Sequence, residues 1–107
     1  MIIKEFTLGS ALPDQIFTEI MYEVASARSD RADLVRINFI SGDTEKKIVN
    51  SAVKILKKMK ADGRIQFFAT KEGFISSSQE AVFLNNKYPE HFSSSENSDS
   101  NFIYIKL

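Results

Sequence analysis

The chain has 107 residues, and 14 Lys plus Arg balance 14 Asp plus Glu to a formal net charge of zero. It holds one His, no Cys and no Trp, and 43% of its residues are hydrophobic. The lack of Cys excludes a disulfide scaffold, thiolate catalysis and Cys-ligated zinc or iron–sulfur sites. Neutrality argues against a domain that holds nucleic acid by an overall basic excess.

A chain of this length supports one hydrophobic core, so residues 1–107 are expected to form a single domain. Met1-Ile2-Ile3-Lys4-Glu5-Phe6 has no basic region followed by an apolar stretch, so no signal peptide is expected. No apolar run reaches the roughly 18–20 residues that span a bilayer. The expected setting is cytoplasmic.

In chain order, Ile2 to Leu8 reads as a strand with Ile2, Phe6 and Leu8 as its apolar positions. Gly9-Ser10 breaks it, and Pro13-Asp14 suits a helix first turn. Ile16, Phe17, Ile20, Met21 and Val24 then recur at helical spacing over about 13–28. Val35, Ile37 and Phe39 alternate with Arg36 and Asn38, which makes 35–40 a strand with one apolar face. Asp43 is the expected N-cap of a helix from Thr44 to Asp62 with a broad stripe from Ile48 to Met59. Gly63 occupies the left-handed C-terminal cap, and the lysines of the last turns suit the negative end of the dipole.

Residues 65–70 read as a third strand, Lys71-Glu72-Gly73 as a turn, and Phe74-Ile75 as a short returning strand. Ser77 with Glu80 three residues on forms a capping-box pattern, opening a short helix through about Asn86 that Tyr88-Pro89 ends. Residues 93–101, rich in Ser, Asn and Asp, are expected to be a mobile loop. Phe102 to Leu107 alternates as a final strand that must dock into a sheet. The predicted order is β-α-β-α-β-(β)-α-β. It implies an α+β two-layer sandwich: a mixed sheet of four to five strands with the two long helices on one face. A three-layer doubly wound fold is the competitor.

The candidate sites follow from this pattern. If Val35, Ile37, Phe39, Ile65, Phe67, Ile103 and Ile105 face the long helices, the opposite face presents Arg36, Asn38, Phe68, Phe102 and Tyr104. This set is either covered by the third helix or the C-terminal region or left exposed, and exposed rings beside basic and amide groups suit self-association or the stacking of unpaired bases. From Lys46 to Arg64 there are seven cations and one acid, Asp62. Lys47, Lys54, Lys58 and Arg64 are candidates for holding nucleic acid or an acidic protein.

His91 has no companion motif that would make it a general base. The Ser41-Gly42-Asp43-Thr44 and Leu8-Gly9-Ser10 turns offer backbone N–H groups to an anion, but both lack a phosphate-binding glycine motif. No catalytic residue, cofactor or metal is expected. The leading function is a non-enzymatic protein-interaction or regulatory module that self-associates, as a homodimer, through its sheet or sheet edge. A nucleic-acid binder using helix 46–64 or the aromatic face is one alternative. A small enzyme or ligand-binding protein, using His91 or the Ser41–Thr44 turn, is the other.

Overall fold

The computed structural model describes residues 1–9, 12–92 and 100–107. Four strands and five helices follow one another as β1 (Ile3–Leu8), α1 (Pro13–Ser29), β2 (Leu34–Phe39), α2 (Glu45–Ala61), β3 (Phe67–Thr70), α3 (Lys71–Ser76), α4 (Gln79–Lys87), α5 (Pro89–Phe92) and β4 (Phe102–Lys106). The strands form one mixed sheet in the order β1-β2-β4-β3. β1 and β2 are parallel, and β4 is antiparallel to both β2 and β3, so β1, β2 and β3 share a direction. The α+β architecture expected from the sequence is present, with both long helices on one face.

That face is built by simple periodicities. α1 buries Ile16, Ile20, Val24 and Ala27, and α2 buries Ile48, Ala52, Leu56 and Met59. Each set recurs at three or four residues, which keeps it on one side of its helix. They close over Val35, Ile37 and Phe39 of β2 and Ile103 and Ile105 of β4.

The two long helices end alike. In α2, Gly63 takes a left-handed φ of 75° while Arg64 N–H donates to Met59 C=O and Gly63 N–H to Lys60 C=O. In α1, Ala32 N–H donates to Ala27 C=O and Arg31 N–H to Arg28 C=O. Both are Schellman caps, but α1 places Arg31, not glycine, at a φ of 56°. At the start of α2 the cap position is Thr44 rather than Asp43, and no side chain caps the helix.

Two expectations are corrected beyond β3. Lys71–Ser76 is a helix and not a turn with a returning strand. Thr70 supplies its N-cap by accepting from Gly73 N–H at 3.1 Å, and β4 takes the antiparallel place beside β3. Ser77 closes α3 with a left-handed φ of 58°, so the cap of α4 falls on Ser78, which accepts from Ala81 N–H at 3.2 Å. The residues after Tyr88 add a single turn, α5. Residues 93–99 of the expected mobile loop lie outside the described residues.

The side of β3 is also corrected. Phe68 packs toward α1 and α2, and Phe67 packs on the opposite face. Ile65 is buried under the long helices as expected, but regular strand begins at Phe67. The alternation therefore restarts after Ile65, and a one-residue shift of phase moves every later side chain to the other face.

Candidate interaction surfaces

The sequence left the face of the sheet opposite α1 and α2 either covered by the third helix or the C-terminal region or available to a partner. Over β4 and β3 it is covered. Phe102 is 2% exposed and Tyr104 1%, and they pack in a second cluster with Leu34, Ala69 and Leu84. α3 and α5 add their rings to it. Phe74 stacks near Phe92 with centroids 5.5 Å apart, and Phe92 meets Tyr104 edge-on at 5.0 Å. Phe102 and Tyr104 are therefore core residues, and Phe68 lies half-buried on the other face. The run Phe74 to Phe92 supplies enough apolar surface for a partial third layer, which roofs Phe102 and Tyr104.

Arg36 and Asn38 sit where β2 leaves this layer. The Arg36 guanidinium lies 4.6 Å from the Phe102 ring centre and 5.2 Å from that of Tyr104. Its Nη1 donates to the Tyr104 hydroxyl at 2.7 Å and its Nε to Asn38 Oδ1 at 2.8 Å. Glu5 Oε1 stands 3.5 Å from Nε. His91 Nε2 is 3.2 Å from the same Tyr104 hydroxyl. Charge-assisted hydrogen bonds and two ring faces thus hold the cation with protein groups. The chemistry of this cluster is to pin α5 and β2 to β4. Nearby, burial and then Asp33 push the Tyr88 phenol above its ordinary pKa.

A different surface lies along β3, one margin of the sheet among the described residues. Phe67–Thr70 carries no charge. A cleft of about 550 Å³ runs along it, walled by Lys57 and Lys60 of α2 on one side and by Gly73, Ser78 and Glu80 on the other. Phe83 meets Phe67 edge-on at 5.4 Å while remaining 42% exposed, beside Val82 at 43%. The sequence reading missed this patch, although a signal was present. Ala81-Val82-Phe83-Leu84 is an unbroken apolar run, and a helix cannot turn four consecutive residues inward. Ala81 and Leu84 are buried, which leaves Val82 and Phe83 outside.

The basic candidates divide. Lys54, Lys58 and Arg64 gather at the seam between α1 and α2. Lys47 is exposed about two turns earlier on α2 and does not join them. His91 lies beside Lys87, Tyr88 and Glu90 in a shallow cleft, and Ser10 of the Leu8-Gly9-Ser10 turn is outside the described residues. Among the described residues, no three His, Asp or Glu side chains come together as metal ligands, and no helix is long and apolar enough to cross a membrane. Comparison with known proteins finds no matching family model, no matching curated protein and no matching solved structure.

Proposed function

We propose that the chain is a non-enzymatic protein-interaction module that self-associates as a homodimer through its β3 margin. The observation that carries this reading is the joining of an uncharged edge strand to an exposed apolar patch, Val82 and Phe83, on the helix beside it. An edge strand presents backbone groups that a second strand can satisfy. Pairing β3 with its copy would continue the sheet across both molecules, and the flanking rings would come together at its centre. Lys57, Lys60 and Glu80 would form the polar rim that such interfaces carry. A cytoplasmic setting belongs to the same proposal, and a sequence free of Cys is compatible with it; imaging of a tagged chain tests it, and residence in an oxidising compartment would contradict it.

Sedimentation equilibrium from low to high micromolar concentration tests the homodimer. The expected result is a reversible dimer that Phe83→Asp, or Val82→Asp if the first variant folds poorly, converts to a monomer with unchanged circular dichroism. A parent chain that stays strictly monomeric, or a dimer indifferent to both variants, overturns the reading.

A further inference from the structure

The seam between α1 and α2 carries a second surface, on the side of α2 away from the β3 margin. Phe17 and Met21 of α1 face Ile55 and Met59 of α2 across a groove of about 320 Å³. Phe17 is 48% exposed although it is a large ring. Lys54, Lys58 and Arg64 stand around this apolar floor, with Asp62 the one acid among its lining residues. Arg64 Nη1 reaches Met21 Sδ at 3.9 Å. Lys4 pairs with Asp30 and Arg36 with Glu5 at the β1 side of the sheet, and neither pair uses these cations.

We infer that this groove docks an acidic amphipathic helix of another protein. Each part of the partner follows from a part of the groove. An apolar floor between two helices accepts side chains spaced at i, i+3 or i+4 and i+7. The half-buried Met21 in that floor can adapt to more than one shape of ligand. Three cations against one acid favour carboxylates flanking the apolar stripe. A nucleic acid would use the cations but gain nothing from burying Phe17 and Met21, so the acidic helix fits more of the surface.

The test uses a labelled synthetic peptide of about 16 residues, with Leu at helical spacing and Glu on the flanks, and follows fluorescence polarisation. Controls are the same composition scrambled to break the stripe, the stripe flanked by Lys, and single- and double-stranded oligonucleotides. The patterned acidic peptide should bind, with at least tenfold loss on Lys54→Glu with Lys58→Glu and a further loss on Phe17→Ala. Binding should weaken with added salt. The inference is overturned if the patterned peptide fails to bind at millimolar concentration, if the scrambled peptide binds equally well, or if an oligonucleotide binds more tightly. Unchanged dimerisation of the charge-reversal variant by sedimentation separates this outcome from the fate of the β3 margin.

Discussion

The two margins of the sheet handle exposure in opposite ways. At β1, Lys4 pairs with Asp30 at the end of α1, and Glu5 leans on Arg36 of the next strand. Asp33 ties the chain entry down, accepting from Ile2 N–H through its carboxylate and donating its own N–H to Ile2 C=O. Charges on an edge strand discourage a second strand from adding, because pairing would desolvate them. At β3 there are four residues and no charge, and a phenylalanine of α4 extends the apolar surface outward. The difference teaches that sheet edges in one small fold can be guarded on one side and open on the other. The proposed dimer uses the side that carries no charge.

Removing the guard is the harshest test of this contrast. Lys4→Val with Glu5→Val should give β1 the character of β3, and a molecule with two open margins can assemble without closing. Light scattering should show species growing with concentration beyond a dimer; particles no larger than those of the parent would show that charge is not what guards β1.

Loosening the open side comes next. Leu84 is fully buried and anchors α4 beside β3. Leu84→Ala should destabilise the fold by about 2–5 kcal/mol in urea unfolding. Amides of β3 and α4 should lose hydrogen-exchange protection more than those of β1. Equal losses at both margins would show that the sheet responds as a unit.

The two crossovers leading into β2 and β3 offer a finer comparison, since both use a left-handed residue at a helix end. Arg31→Gly should stabilise the chain by about 0.5–1 kcal/mol, because glycine adopts that backbone without steric cost. Gly63→Ala should cost about 1 kcal/mol for the converse reason; nothing stands within 4 Å of the added carbon, so the effect is conformational and not a clash. Chemical denaturation of the pair checks both signs.

The smallest effect is alkaline. Lys4 is held above the usual lysine range by its hydrogen bond to Asp30 and the carboxylate's charge. The Tyr88 phenol is raised by burial and then by Asp33. Both groups keep their protons longer in the folded chain than in the unfolded one. Stability is therefore complete below about pH 10 and falls as pH rises through the folded values. A thermal midpoint that rises above pH 10, or a Tyr88→Phe variant with an unchanged alkaline slope, would contradict the assignment.

Much of this architecture was legible before any coordinates. The stripes of α1 and α2 and the alternation of β2 and β4 name the buried residues of the first core directly. Tyr88-Pro89 marks the end of α4, and Gly63 marks the end of α2. The candidate site was less legible. Phe102 and Tyr104 alternate as rings on an outward face would, and nothing local states that Phe74, Leu84 and Phe92 come back over them. Arg36 likewise reads as a solvated charge until Tyr104, distant in the chain, is placed against it.

What the amino-acid order determined by itself is whatever depends on neighbours within about a turn: helix faces, strand alternation, caps and breaks. Hydrophobic periodicity and backbone sterics act over that range, so they leave a readable trace. Only the tertiary structure decided which strand lies at which margin, on which side β3 puts each phenylalanine, and whether a ring-bearing face is roofed. Those outcomes turn on contacts between segments far apart in the chain: β4 entering between β2 and β3, and α3 to α5 folding back across it. The free energy of such burial belongs to the assembled surfaces, and no single segment records it.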